Sequence, residues 1–252
     1  MRLGIYQCDA GGLSTSARLR ALELRLAERE VDLMVCPELF LSGYMGADHA
    51  ALAEPATGPF FQDVAEIAKR HETAVCYGYP EVADGVIYNA ARLVGADGAA
   101  LANHRKRLPS PGSFEEETFA NGDSLTLVDH GGMRIAIIIC YEVELPESLR
   151  KAAQHGAELA LVPTALVDQW GVVAEKLVPT RAFENGLWLA YANHAGEEGG
   201  ARYLGGSRIV APDGVEEAVA GAEETVIAAN VDPERVVTAR NRLPYLRDAV
   251  KL

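Results

Sequence analysis

Short apolar runs alternate with amphipathic stretches along most of this chain. Leu3–Cys8, Val31–Cys36 and Ala74–Tyr79 have the length and flanking turn residues of buried strands. Between the first two, Ser14–Glu30 sets Leu19, Leu22, Leu24 and Leu26 among charges, with Ser14 as an N-cap, which predicts a helix. Phe60–His71 predicts another, with Phe61, Val64, Ala65 and Ala68 at helical spacing. A βαβαβ start of this kind marks a layered α/β fold.

The rhythm then changes. Asp84-Gly85 and Asp97-Gly98 flank Val86–Val94 and precede Ala99–Arg105, and such turn dipeptides between short strands signal hairpins. Leu125–Val128 and Arg134–Ile139, joined through His130-Gly131-Gly132, predict one more. A helix from Pro146 to His155 follows, with Pro well placed at a first helical position. After a strand Leu159–Val162, a helix from Trp170 to Asn185 is expected, kinked or broken at Pro179. Strands Leu187–Asn193, Tyr203–Val210, Gly214–Val219 and Thr225–Asn230 complete the pattern, and the tail holds a short helix and a Pro244-Tyr245-Leu246 extension. No repeat, low-complexity tract or linker interrupts the chain, so residues 1–252 read as one domain with 232–252 as a C-terminal extension. Hairpins among the strands argue for mixed sheets covered by helices, not an all-parallel sheet.

Composition narrows the partners. The 252 residues carry 23 Lys+Arg against 36 Asp+Glu, a formal net charge of −13, with 49% hydrophobic and 23% charged residues. That balance is globular and excludes a disordered or rod-like chain. An acidic chain whose densest basic stretch is His104-Arg105-Lys106-Arg107 offers no phosphate-binding face, so nucleic acid is not an expected partner. No window is long and apolar enough for a membrane span, and the N-terminus lacks a signal-peptide core. Cys8, Cys36, Cys76 and Cys140 are widely spaced, which suits reduced thiols and a cytoplasmic location better than disulfides or a zinc site.

Three residues carry candidate chemistry. Cys140 ends the apolar run Ile135–Ile139, where a strand breaks into a turn and then a helix; that context fits either a reactive thiol or a buried structural one. Cys36 has a similar strand-end position, but for Cys8, Cys36 and Cys76 packing is the better reading. Glu38 follows a strand end through Pro37. Among Leu39, Phe40 and Leu41 its carboxylate would be desolvated towards a general base, unless it faces water. Lys106, judged alone, reads as a solvated loop lysine.

Cys36-Pro37-Glu38-Leu39-Phe40-Leu41-Ser42-Gly43-Tyr44, Arg105-Lys106-Arg107-Leu108 and Cys140-Tyr141-Glu142-Val143-Glu144-Leu145-Pro146-Glu147 together resemble the three blocks of the nitrilase superfamily, the carbon–nitrogen hydrolases. Each block holds one member of that family's Glu-Lys-Cys triad. Glu115 with Phe119-Ala120-Asn121-Gly122-Asp123 is similar to a further family glutamate. Tyr88-Asn89, Arg181–Asn185 and Tyr191–Gly196 also match, in family order across nearly the whole chain. Within the superfamily the blocks look closest to the amidase branch, similar to bacterial short-chain amidases such as 5-aminopentanamidase and the stereoselective amidases. His104 stands where Tyr is frequent, Leu108-Pro109-Ser110-Pro111-Gly112 replaces the usual stretch after the lysine, and Glu142 replaces a common Asp.

The resemblance implies a four-layer α-β-β-α sandwich that pairs into a homodimer or larger assembly, with the C-terminal extension at the interface. It implies Cys140 as nucleophile, Glu38 as general base, Lys106 and the Tyr141 N–H as oxyanion donors, and Glu115 orienting Lys106 and the substrate nitrogen. Tyr141, Thr164 and Trp170 are expected to line the pocket. Arg181 and Glu184 are expected to form a structural pair. The expected substrate is a small aliphatic or ω-amide, with an N-carbamoyl amine, a nitrile or a catalytically silent binding role as alternatives. No metal or organic cofactor is required, and clustered ligands for a metal-dependent amidohydrolase are not visible in the sequence.

Overall fold

The computed structural model describes residues 1–251; Leu252, the last residue of the extension expected at a subunit interface, lies outside the described residues. In chain order the first half contains β1 (Arg2–Gln7), α1 (Thr15–Glu28), β2 (Leu33–Val35), α2 (His49–Leu52), α3 (Pro59–His71), β3 (Ala74–Ala83), β4 (Val86–Val94), β5 (Ala100–Arg105) and α4 (Glu115–Thr118). The second contains β6 (Thr126–His130), β7 (Met133–Ile137), α5 (Pro146–Gln154), β8 (Leu159–Pro163), α6 (Val178–Asn185) and β9 (Trp188–Ala192). It continues through β10 (Glu197–Glu198), β11 (Ala201–Arg202), β12 (Arg208–Val210), β13 (Glu216–Val219), β14 (Thr225–Asn230), α7 (Pro233–Arg242) and α8 (Tyr245–Ala249).

Two six-stranded mixed sheets form, in the orders β14-β1-β2-β3-β4-β5 and β13-β12-β9-β8-β7-β6. In each, three central strands run parallel (β1, β2, β3 and β7, β8, β9) while antiparallel strands flank them on both sides. The period-2 alternation of strand side chains decides the layers. Leu3, Ile5, Leu33 and Val35 of one sheet meet Ile135, Ile137, Leu159 and Leu161 of the other in a shared inner core. The alternate residues Tyr6, Met34 and Val75 face outward against Leu22, Val64 and Ala68 of α1 and α3. On the far side Ala160, Val162 and Leu189 pack against Leu149, Val178 and Ala182 of α5 and α6. The result is the expected helix–sheet–sheet–helix sandwich.

Three local expectations are corrected. The helix foreseen over Trp170–Asn185 is a 3₁₀ turn at Asp168–Trp170, a π-helical turn at Val173–Leu177, and then α6. Pro179 sits in the first turn of α6, where its missing N–H costs nothing, so the chain re-forms the helix around it. The strand expected over Tyr203–Val210 narrows to Arg208–Val210, because Gly205 and Gly206 both take positive φ and turn the chain. Tyr245 and Leu246 are helical, not extended.

β5, antiparallel to β4, runs in the same direction as β2 and β3, so β2, β5 and β7 deliver Glu38, Lys106 and Cys140 to one end of the sandwich. Gly78 in β3 makes the first of these turns possible. A Cβ there would lie 2.3 Å from Leu39 N and 2.7 Å from Pro37 O, both backbone atoms that cannot swing away. Gly78→Ala should therefore destabilise the protein by roughly 1–3 kcal/mol, the usual cost of overpacking, read as a lowered urea midpoint. An unchanged midpoint would mean that the 37–39 turn is not held by this close approach.

Candidate active site

Glu38 sits in the turn after β2 and is fully buried. The next residue, Leu39, takes φ +48°, a conformation that is strained for a non-glycine side chain. The turn is pinned from outside: Leu41 N–H donates to Gly78 O at 3.2 Å, and His194 Nε2 donates to Glu38 O at 2.8 Å. His194 Nδ1 faces Cys8 Sγ at 3.3 Å, which fixes the imidazole with its proton on Nε2. Cys8 thus has a polar neighbour, contrary to its reading as a purely packed thiol. Burial pushes the His194 pKa down to about 3, so it stays neutral in this role.

Lys106 follows β5 and is buried, not solvated as its basic surroundings suggest. Its N–H donates to Asn89 O and its carbonyl accepts from Gly122 N–H, both at 2.8 Å. A Cβ on Gly122 would collide with Arg105 O at 2.2 Å, so only glycine allows this approach. Nζ then donates to Glu38 Oε1 at 2.7 Å and to Glu115 Oε1 at 2.8 Å. Glu115, buried at the start of α4, also accepts from Tyr44 Oη at 2.5 Å and from Ser110 Oγ at 3.2 Å. Asn89 Nδ2 completes the cluster with a 2.7 Å bond to Glu38 Oε1. Glu38 Oε2 remains buried without a partner among the described residues.

Cys140 opens a 3₁₀ turn, Cys140–Val143, with φ +45°. Its thiol is held well above the usual range by burial and then by the Glu38 charge, with Lys106 pulling the other way. The resting sulfur is therefore a neutral thiol that needs a base. Glu38 is pushed up to about 7, first by burial, against the opposing pull of Lys106. Burial also works against the Lys106 ammonium, but Glu38, Cys140 and Glu115 outweigh it and raise its pKa. A carboxylate poised near neutrality, a fixed cation and a protonated thiol thus lie together, all three buried.

Cys140 opens into a cavity of about 600 Å³. Tyr141 and Trp170 line it, as expected, and Trp170 keeps 56% of its surface in solvent at the wall. Ser110–Ser113, from the segment that departs from the family pattern, form part of the rim. Thr164 is a correction. Its side chain is fully buried, bonded to Tyr191 Oη at 3.1 Å, and does not line the cavity. It directly follows β8 with the parity of Ala160 and Val162, so it faces the α5–α6 layer beside Tyr191; Ala165 and Leu166 line the cavity.

Other residues shape the site through tertiary contacts that the sequence alone does not reveal. Glu142 is buried and accepts from Ile139 N–H and from His104 Nε2, both at 2.9 Å, and from Arg107 Nε at 2.6 Å. It ties the chain after β5 to the Cys140 turn. These hydrogen bonds and the His104 and Arg107 charges overcome burial and lower its pKa. Arg181 pairs with Glu184 at 3.0 Å as expected, but also donates to Val143 O at 3.1 Å and Glu144 O at 2.6 Å, closing the far end of the same turn. The available signals were Asn89 inside a buried strand run and the joint departure of His104 and Glu142 from the family pattern. Glu142→Ala should cost roughly 3–5 kcal/mol, because it strands a buried imidazole and a guanidinium, whereas Lys69→Ala, which removes only an exposed ion pair with Glu66, should cost far less. Chemical denaturation of the two variants checks this, and equal small losses would remove Glu142 from its bridging place.

The sequence profile of the carbon–nitrogen hydrolase family matches residues 9–241. A Pseudomonas protegens protein named "Hydrolase in pqqF 5'region" is 42% identical, covering 98% of this chain and 88% of that protein. An (R)-stereoselective amidase from Pseudomonas sp. is 36% identical, covering 87% of this chain and 80% of that protein. Among solved structures, a variant of the amidase from Nesterenkonia sp. AN1, with acrylamide added at its active-site cysteine, superposes with a TM-score of 0.85. It is 31% identical and the match covers 97% of this chain and 98% of that one. With fold, sequence and relatives in agreement, the chain belongs to the carbon–nitrogen hydrolase family of the nitrilase superfamily and is a hydrolase of that class.

Proposed function

We propose that this hydrolase is an amidase that converts a small aliphatic or ω-amide to a carboxylate and ammonia through a thioester on Cys140. The observation that carries this reading is the division of labour on Glu38. One carboxylate oxygen is held by Lys106 and Asn89, and the other is buried and free. A carboxylate so placed is oriented and still able to take a proton. Relatives named as amidases support the same class of substrate.

The steps follow from these groups. Glu38 takes the Cys140 proton as sulfur attacks the amide carbonyl, and the carbonyl oxygen gains the negative charge. The Lys106 ammonium and the Tyr141 N–H stabilise that charge. Glu38 returns its proton to the amide nitrogen, the C–N bond breaks and ammonia leaves. Water then gives a proton to Glu38 and adds to the thioester. Collapse breaks the C–S bond, and the proton on Glu38 goes back to the thiol. Glu115 orients Lys106 throughout, with Tyr44 and Ser110 bonded to its carboxylate.

The reading is tested by ammonia release from a panel of amides, N-carbamoyl amines and nitriles, combined with variants and pH. Cys140→Ala and Glu38→Gln should abolish turnover, and a slow amide should add an acyl mass to Cys140. Lys106→Arg and Lys106→Ala should each lose roughly 100- to 1,000-fold in kcat, since the donor acts where charge grows. Only ionised Glu38 accepts a proton, so kcat/KM should fall about tenfold per unit as pH drops below about 7 and should level off above it. Amide turnover that survives in Cys140→Ala, or an acid limb lying near pH 4, would overturn the mechanism.

We further propose a single domain working as a homodimer in the cytoplasm, with α5, α6 and the 232–252 segment at the interface. Phe183 and Tyr245 stack edge to face at 6.0 Å while both are exposed, and Val250 is exposed beyond them. Such an apolar strip is costly to leave in water. All four cysteines are free, which suits a reducing compartment. Light scattering at micromolar concentration should give a dimer, and Tyr245→Asp should weaken it; a fully active monomer would exclude this assembly.

A further inference from the structure

Glu198 ends β10 and bonds to none of Glu38, Lys106, Glu115 and Cys140, yet its side chain is almost sealed, with 10% of its surface in solvent. Oε2 accepts from two successive backbone N–H groups, Tyr44 at 2.9 Å and Met45 at 2.8 Å, and from Tyr203 Oη at 3.2 Å. Oε1 accepts from Arg18 Nη2 at 3.4 Å, and that guanidinium is itself buried, donating to the carbonyls of Ala10 and Leu13. The β10–β11 hairpin turns through Gly199 and Gly200, both at positive φ, and a Cβ on Gly199 would lie 2.9 Å from Met45 Cβ. The hairpin is thus pressed onto the 43–45 loop, and a carboxylate with four donors leaves that loop little freedom.

The loop so held reaches the charged cluster. Tyr44 Oη donates to Glu115 Oε1 at 2.5 Å, and the same oxygen accepts from Lys106 Nζ. The Tyr44 ring meets Phe114 edge to face at 5.1 Å, and its carbonyl accepts from His49 Nε2 at 3.1 Å. Its N–H is taken by Glu198, so the residue is fixed at the ring, the carbonyl and the amide. We propose that Glu198 is a positioning residue for turnover: it seats the Tyr44 backbone so that Tyr44 Oη holds Glu115, which holds the Lys106 ammonium. This rests on the amidase reading and extends its machinery to a hairpin late in the chain. A change at Glu198 reaches the reaction through Tyr44 Oη, and a double-mutant cycle measures that dependence.

The test is a cycle of Glu198→Ala, Tyr44→Phe and the double variant, with kcat read on an amide that the wild type hydrolyses. Tyr44→Phe should lose roughly 10- to 100-fold in kcat, the range of one hydrogen bond to a charged group. Glu198→Ala should lose a comparable factor, and the double variant no more than the larger single loss, whereas independent effects would multiply. Glu198→Gln keeps an acceptor for the two N–H groups and removes the charge opposite Arg18. It should recover most of kcat while its urea midpoint falls, which separates positioning from stability. Should Glu198→Ala not fold, Glu198→Asp takes its place in the cycle, since it draws the acceptor back from the loop and keeps the charge. Alkylation of Cys140 by iodoacetamide, in which sulfur displaces iodide and Glu38 takes the thiol proton, reads the same arrangement without turnover. Its rate constant, followed by peptide mass, should fall in each single variant and no further in the double. Losses that multiply, or an unchanged kcat in Glu198→Ala beside a lowered urea midpoint, would make Glu198 a purely structural residue and overturn the assignment, leaving the amidase reading in place. A non-additive alkylation cycle in a protein that turns over no amide would keep the positioning of the cluster and remove the amidase reading.

Discussion

The buried ammonium of Lys106, bonded at once to Glu38 and Glu115, is the interaction on which the rest of this site depends. Moving a single charge into such a volume costs several kcal/mol, and a pair recovers it only with good geometry and further hydrogen bonds. Here the recovery is shared. Tyr44 and Ser110 bond to Glu115, Asn89 bonds to Glu38, and the Lys106 backbone is held by Asn89 and Gly122. Two carboxylates around one ammonium leave the cluster with excess negative charge. That excess raises the Cys140 thiol and contributes to the raised Glu38 carboxyl, so the resting state is proton-rich and poised for transfer.

Holding these groups requires backbone that would not form by itself. Leu39 and Cys140, one beside the base and the other bearing the sulfur, both take positive φ. Such conformations cost of order 1–3 kcal/mol each and persist only where the surroundings over-determine them. The surroundings do so by different means. Gly78 brings a strand backbone against the first turn, while Glu142 and Arg181 grip the two ends of the second. Because Glu142 also binds His104 and Arg107 on either side of Lys106, the lysine and the cysteine are positioned by one shared carboxylate. The departures of His104 and Glu142 from the family pattern are therefore two halves of one contact.

The cavity beyond Cys140 has a different character from the charged cluster behind it. Its wall is largely apolar, with Glu144, Gln169, Ser110 and Ser113 among its polar side chains. The charged cluster sits in turns at the strand ends, whereas the cavity wall is built from side chains that can change without disturbing those turns. The loop that carries Ser110 touches both, since Ser110 lines the cavity and bonds to Glu115.

The amino-acid sequence by itself pointed to a layered α/β fold, because the short apolar runs Leu3–Cys8, Val31–Cys36 and Leu159–Val162 and the helical spacing within Phe60–His71 are local properties; the four-layer sandwich followed only from the resemblance of its motif blocks to a known family. The order of the family blocks singled out Glu38, Lys106, Glu115 and Cys140. What the local pattern could not decide was burial and partnership, which depend on residues far apart in the chain. Lys106 sits in a basic stretch, and only the approach of Glu38, 68 residues earlier, and of Glu115 turns a surface charge into a buried one. Thr164 turns from the cavity to Tyr191, a partner 27 residues later that no local pattern names. The bridging place of Glu142 is likewise a tertiary fact, since a carboxylate's meaning is set by the cations that reach it.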